Sequence, residues 1–334
     1  MKILLYSKGL KNISKAGIGK AIKHQMKALE ENNIDYTLNE KEDYDIMHIN
    51  TWWLSSYLAA KKAKKQGKKV VYHAHSTEED IRNSFLFSNI FAPLLKKWLI
   101  KCYSVGDHII TPTTYSKKIL EGYGITKPIT AISNGIELTF FEKNETLANN
   151  FRKMYNYKKS DKIVIGIGLY IERKGIVDFV EIAKNLPEYK FIWFGSNSLL
   201  LAGKKVRKAV NTKLDNLIFA GYVDPSIIKG AMSGANLYIF PTYEETEGIP
   251  TLEALACKQN LLVRDIPVFD PWLKDNVNCY KAKNIDELIL KTKQIITKKL
   301  PNLNEEGYKL AKRKSVKNSG KALLKVYKEV LNEK

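Results

Sequence analysis

Short apolar runs alternate with stretches of helical periodicity along this chain, and that alternation constrains its fold more than any other feature. Residues 3–6 (ILLY), 46–49 (IMHI), 70–73 (VVYH), 109–112 (IITP) and 129–132 (ITAI) are apolar without a solvent-facing side, as strands buried on both faces are. Helical patterns separate them, which is the βαβ rhythm of a parallel sheet. The rhythm pauses between about Leu138 and Asp161, where polar residues dominate. It resumes at 163–168 (IVIGIG), 191–194 (FIWF), 218–220 (IFA), 237–241 (LYIFP) and 261–264 (LLVR). We therefore expect an α/β protein of two Rossmann-like, doubly wound parallel-sheet domains facing a central cleft: 1–140, a hinge over 141–160, and 161–310. The Lys-rich amphipathic tail, 311–334, is expected to be a helix packing back on the first domain.

At 334 residues the chain is long enough for two cores, and 44% hydrophobic content suits a folded globular protein. Lys plus Arg number 55 against 35 Asp plus Glu, a formal charge of +20 that favours phosphate-rich partners: nucleic acid, anionic lipid or nucleotide. Cys102, Cys257 and Cys279 are far apart and form no CxxC pair, so neither a disulfide framework nor a zinc site is indicated, and a reducing cytoplasm fits. The opening MKILLYSKGL reads as a buried strand rather than a signal sequence. No run approaches the roughly 20 apolar residues of a membrane span.

The stretch 242–256, TYEETEGIPTLEALA, places Glu245 and Glu253 eight positions apart around Gly248 and Pro250. Pro250 suits the first turn of a helix, with Glu253 expected in that turn and Glu245 in the preceding loop, where free backbone N–H groups attract anions. Two acceptors beside an anion pocket suit a ligand carrying both hydroxyls and phosphate. The plainer reading is a surface helix whose acids complement its dipole, worth about 0.3–1 kcal/mol per charge.

Three further motifs follow strands. Gly17 and Gly19 close the loop after the first strand, where glycines let the backbone approach a phosphate or sugar, although the spacing is not a dinucleotide fingerprint. Arg173 and Lys174, in GLYIERKGI, stand at a helix entrance, where adjacent cations can neutralise a diphosphate; in a Lys-rich chain, basic pairs also arise without function. His73 and His75 end a strand in VVYHAHSTEEDIRNSF and supply too few ligands for a convincing metal site. One of them is expected to hydrogen-bond substrate, the alternative being a core histidine.

Taken together, YEETEGIPTLEALA resembles the E-x7-E signature of family 4 glycosyltransferases, and ISNGIE (132–137), TPTTYSKKILEGYGI and GLYIERKGI resemble segments of the same family over nearly the whole chain. The resemblance implies the two-domain GT-B fold, a UDP-sugar as co-substrate, no tightly bound cofactor and no required metal. It also implies residue roles. Glu253 would hold the donor ribose, Glu245 the transferred sugar, and Lys174 with Arg173 the diphosphate, while Gly17, Gly19, Gly248, Ile249 and Pro250 would line the donor site. The family histidine falls at His75, with His73 in reserve. Where the family has Gly-Arg, this chain has Gly168-Leu169, and Arg173 or Arg264 is the candidate replacement; Arg264 and His73 are also candidates for sugar or acceptor contacts.

HAHSTEEDIRNSF and VRDIPVFDPWL are most similar to bacterial enzymes that glycosylate diacylglycerol lipids, of the diglucosyldiacylglycerol synthase type. That resemblance implies a retaining transfer of hexose, glucose first among candidates, from a UDP-sugar to a membrane glycolipid such as monoglucosyldiacylglycerol. Catalysis would rest on Glu245, His75 and Lys174, with the leaving diphosphate taking the acceptor's proton. Phe87, Phe91, Lys96, Lys97, Trp98 and Lys101 combine apolar and basic character as an interfacial helix does, predicting peripheral attachment to anionic lipid on the inner face of the cell membrane. An ordinary core-facing helix with a basic outer face is the alternative. Capsule or cell-surface polysaccharide synthesis is the second enzymatic reading. A basic nucleic-acid-binding protein explains the charge but not the glutamate pair, which would repel a phosphate backbone, so no nucleic-acid partner is expected.

Overall fold

The computed structural model describes residues 1–6 and 17–332. The chain forms two compact units, one of Met1–Glu79, Ile90–Glu137 and Lys314–Lys334, the other of Asp80–Asn89 and Leu138–Arg313. The first unit thus takes back the C-terminal segment, while residues 80–89 leave it for the second, a departure from a single division near residue 140.

In the first unit six parallel strands run in the order β2-β1-β3-β4-β5-β6: β1 (Lys2–Tyr6), β2 (Asp35–Thr37), β3 (Ile46–Ile49), β4 (Lys69–His73), β5 (His108–Thr111) and β6 (Ile129–Ala131). Two apolar clusters flank the sheet. Leu4, Met47, Val70, Tyr72 and Ile109 pack on one face with Leu99 and Tyr103, while Ile3, Ile46, Val71 and Ile110 pack on the other with Leu323, Val326 and Tyr327 of the C-terminal Val316–Leu331 helix. The expected tail helix is Val316–Leu331; the preceding helix, Asn304–Arg313, is separated from it by Ser315, which caps the second helix and bridges to Ile136.

In the second unit the order is β12-β11-β10-β7-β8-β9: β7 (Ile163–Ile167), β8 (Lys190–Phe194), β9 (Leu217–Gly221), β10 (Leu237–Phe240), β11 (Leu261–Arg264) and β12 (Tyr280–Ala282), again all parallel. Its core gathers Phe179, Phe191, Trp193, Leu237, Ile239 and Leu262, each contributing on the order of 1.5–3 kcal/mol by burial. The edge strands β2 and β12 carry no apolar run and escape the sequence pattern. The polar stretch read as a hinge contains a helix, Glu145–Met154, capped by Asn144 and packed through Ala148 and Phe151 on the Pro225–Gly234 helix of the second unit.

In each sheet the connections leave in opposite directions from one internal pair of strands, β1 and β3 in the first and β7 and β10 in the second. At such a switch point the loops beyond the two carboxyl ends diverge and leave a crevice in which ligands of open α/β sheets bind.

Candidate active site

The crevice of the second sheet is built by the loops after β7 and β10, and these carry the predicted cations and glutamates. After β7 the chain makes a single tight turn, Glu172–Lys174, and enters the Ile176–Asn185 helix through Gly175, whose φ of 73° is left-handed. Only glycine fits there: a Cβ at 175 would lie 2.2 Å from the Pro241 carbonyl oxygen. That close approach locks the turn against the end of β10. Lys174 and Glu245 meet in an ion pair, and the Arg173 guanidinium stands 3.8 Å from the same carboxylate oxygen.

The hydrogen bonds around this trio hold both loops. Thr242 donates its hydroxyl to Glu245 at 2.9 Å and lies 3.1 Å from the Arg173 carbonyl, while Tyr243 N–H donates to that carbonyl at 2.8 Å. Arg173 donates to the Glu244 carbonyl at 2.6 Å and to Ser84 Oγ at 3.0 Å, and its backbone N–H donates to Asn83 O at 3.1 Å. Burial works against the Glu245 charge, but the Lys174 and Arg173 charges outweigh it and hold the carboxyl below its ordinary range. Burial pulls the Lys174 ammonium below its ordinary range, with Glu245 opposing. The net result is a preformed patch of two cations and one anion, able to exchange partners with a diphosphate and a sugar hydroxyl.

Gly248, with φ 87°, turns the chain into the helix Ile249–Ala256, which opens on Ile249 and Pro250. Glu253 falls in the second turn rather than the first and is fully buried. An acid that sees no solvent is no surface complement to a helix dipole, and Glu253 does not serve as one. Tyr238 of β10 is buried with no hydrogen-bond partner for its hydroxyl among the described residues, and burial, then the charges of Glu253 and Glu245, push its phenol well up.

Arg264 ends β11, where it is paired with Asp178, donates to the Pro241 carbonyl at 3.1 Å and stacks 4.0 Å from the centre of the Tyr243 ring. Tyr243 in turn donates to Asp178 at 2.7 Å. With its charge compensated in this way, Arg264 buttresses the loop after β10.

In the first unit, Gly17 opens the helix Gly17–Glu30 and Gly19 lies buried in its first turn, so both are helical rather than part of a loop. Ala16 and the chain before it back to residue 7 lie outside the described residues. His73 ends β4 and His75 follows it, their rings stacked 4.1 Å apart. They belong to a buried polar network the sequence did not reveal. Gln25 bridges His48 at 3.0 Å and His73 at 3.1 Å, Asn50 joins Gln25 at 2.8 Å to His75 at 2.8 Å, and His48 Nδ1 meets the Tyr327 hydroxyl at 2.5 Å. Burial pushes His48 and His75 down to about 3 and His73 well below its usual value, so all three rings are neutral at physiological pH. Among the described residues His73 Nε2 is buried without a partner. The signal for His48 was present in the sequence: a titratable residue inside the apolar run IMHI has to find partners in the core.

The Ser88–Tyr103 helix runs through Pro93 without a break. Ile90, Phe91 and Leu94 are exposed on one face, which continues into exposed Lys97 and Lys101; Phe87, also exposed, precedes the helix and belongs to the second unit. Trp98 and Lys96 do not belong to that face. Trp98 donates its indole N–H to the Trp52 carbonyl at 2.6 Å and packs on Tyr57, while Lys96 pairs with Glu78 at 3.3 Å and sits over the Tyr123 ring. No described helix is long and apolar enough to cross a membrane, and no group of three or more His, Cys, Asp or Glu among the described residues is arranged to hold a metal ion.

Two doubly wound parallel sheets, with buried glutamates and a cation pair at the switch point of the second, define the GT-B class of sugar-transferring enzymes. The chain belongs to glycosyltransferase family 4: residues 33–140 match the Glycosyltransferase Family 4 model and 148–314 match Glycosyl transferases group 1. It is 42% identical over 337 residues to the processive diacylglycerol alpha-glucosyltransferase of Acholeplasma laidlawii, covering 100% of both chains. It is also 27% identical to the alpha-galactosylglucosyldiacylglycerol synthase of Streptococcus pneumoniae over 72% of this chain and 65% of that protein. Among solved structures, HepE of Anabaena in complex with UDP-glucose superposes with a TM-score of 0.73 at 15% identity, over 98% of this chain and 100% of that one, a likeness of fold. The protein is a glycosyltransferase.

Proposed function

We propose that this enzyme transfers glucose, with retention of configuration, from UDP-glucose to a diacylglycerol-based glycolipid at an anionic membrane surface. The observation that carries this reading is the 42% identity to the diacylglycerol glucosyltransferase, which runs over the whole of both sequences. Glu253 then receives the ribose hydroxyls and Glu245 the hydroxyls of the transferred sugar. Lys174 and Arg173 stabilise the diphosphate as the bond from C1 to its oxygen breaks, without a metal ion. The acceptor oxygen attacks C1 on the same face, and its proton passes to the departing phosphate oxygen, so no protein nucleophile is needed. His75 hydrogen-bonds the sugar as a neutral donor or acceptor, held by Asn50.

The exposed face of Ile90, Phe91 and Leu94 supports peripheral attachment to the cytoplasmic leaflet. So does the neighbouring Leu54–Lys65 helix, where exposed Leu54 and Leu58 share a face with Lys61, Lys62 and Lys65. The test offers labelled UDP-glucose and UDP-galactose to the protein with vesicles containing diacylglycerol, monoglucosyldiacylglycerol, or neither. Labelled glycolipid from UDP-glucose is expected. Transfer only to a soluble or polyprenyl-linked saccharide would move the enzyme to polysaccharide synthesis.

A further inference from the structure

The second unit carries an exposed apolar turn that donor recognition does not use. Between β8 and the Lys204–Val210 helix the chain turns through Leu199–Leu201, and Leu200 and Leu201 are 84% and 60% exposed. The turn is built rather than loose. Ser198 Oγ accepts from Leu200 N–H at 3.3 Å, Ala202 N–H donates to Leu199 O at 3.1 Å, Ala202 is buried, and Leu199 packs against the core. Leu86 N–H donates to the Leu201 carbonyl at 2.7 Å, which brings the exposed Phe85 and Leu86, also of the second unit, to the same patch.

Charge says what this patch fits. Immediately after the turn, Lys204, Lys205, Arg207 and Lys208 are exposed while Val206 and Ala209 are buried, and no acid occurs between Glu188 and Asp215. The ion pair of Lys205 with Glu172 at 3.5 Å is solvent-exposed and weak. Large apolar side chains presented at the tip of a fixed turn, followed by a helix whose exposed side chains are cations, match the two layers of a lipid interface, acyl chains below and anionic headgroups above.

We propose that the Leu199–Leu201 turn and the basic face of the Lys204–Val210 helix form a second lipid-contact element, specific for an anionic bilayer and separate from the Ser88–Tyr103 helix. The inference rests on the reading of the enzyme as one that works at a membrane surface. With this element, each sheet unit carries its own attachment to the bilayer.

The test compares the wild type with Leu200→Ser/Leu201→Ser, with Lys204→Gln/Lys205→Gln/Arg207→Gln/Lys208→Gln, and with Phe91→Ser/Leu94→Ser. Each is sedimented with phosphatidylcholine vesicles with and without phosphatidylglycerol, and UDP affinity reports intact folding. Both second-unit variants are expected to partition into anionic vesicles at least about tenfold less than wild type, with UDP affinity unchanged. Leu200→Cys carrying an environment-sensitive dye, with Cys102, Cys257 and Cys279 all buried, is expected to show a blue shift on anionic vesicles. Wild-type partitioning in both second-unit variants, or an unshifted dye on vesicle-bound protein, overturns the second element while leaving the membrane reading intact. A wild type that ignores anionic vesicles overturns both. Loss of self-association on Leu200→Ser/Leu201→Ser without loss of vesicle binding assigns the patch to a protein contact and overturns the proposal as well.

Discussion

Gly175→Ala is the sharpest perturbation of the cation turn, because it adds one methyl group where the structure has no room for it. The added Cβ would lie 2.2 Å from the Pro241 oxygen, 2.7 Å from its carbonyl carbon and 2.9 Å from its Cγ. Relieving the first contact to 3.0 Å moves the turn and the end of β10 apart by about 0.8 Å, and holding alanine at φ 73° costs about 1–2 kcal/mol more than holding glycine there. The displacement falls between Lys174 and Glu245, on opposite sides of the contact. A misplacement of about 1 Å in a positioned catalytic group can cost about 100-fold, or about 2.7 kcal/mol in the transition state. We therefore expect kcat/KM for UDP-glucose to fall by about two orders of magnitude, with a lowered thermal midpoint. Steady-state transfer assays and a thermal melt measure both. Gly203→Ala serves as control, since no atom lies within 4 Å of a Cβ there and its φ is −63°. A Gly175→Ala enzyme with wild-type kcat/KM would refute the claim that this turn sets the catalytic geometry.

The two glutamates are expected to separate kinetically. Glu253→Ala raises KM for the donor, whereas Glu245→Ala lowers kcat and destabilises the fold by about 3–5 kcal/mol by leaving Lys174 and Arg173 without their buried counter-charge; equal effects of both variants on kcat, KM and denaturant midpoint would sink the division of roles. The histidine network gives a pH signature. In the unfolded chain each imidazole titrates near 6.5, whereas burial holds His48 and His75 at about 3 in the fold. Below about pH 6.5 the unfolded state therefore binds protons that the native state refuses, so stability is full above that pH and falls as pH drops toward 3, by about 1.4 kcal/mol per unit for each ring. Denaturant titrations of wild type and His48→Gln between pH 7 and 5 should differ in slope by about that amount, and parallel slopes would mean that His48 takes up a proton as readily in the fold as in the unfolded chain.

Legibility of the fold varied with the length of the apolar runs. Internal strands such as β7 and β10 were readable because a strand buried on both faces has no polar side to dilute the pattern. The edge strands β2 and β12, three residues each with Asp35 and Lys281 among them, gave no such signal. The polar 141–160 stretch concealed a docked helix because Ala148 and Phe151 alone supply its buried contacts. In the second unit, Glu245, Glu253, Arg173 and Lys174 were legible through motif and position after a strand. Ser84, which holds Arg173, carries no motif and comes from a distant part of the sequence.

The sequence by itself determined the parallel-sheet class, the family and the residue types of the site, since hydrophobic period and motif spacing are local properties. Which groups face one another was decided only in three dimensions. Lys174 meets Glu245 because the loops after β7 and β10 diverge at one switch point; Arg264 is diverted to Asp178 because β11 ends beside the Ile176–Asn185 helix; Trp98 is drawn inward by the Trp52 carbonyl while Phe91 is left outside. Each outcome turns on contacts between residues tens of positions apart, and no local pattern encodes which of several chemically equal partners the fold will bring within reach.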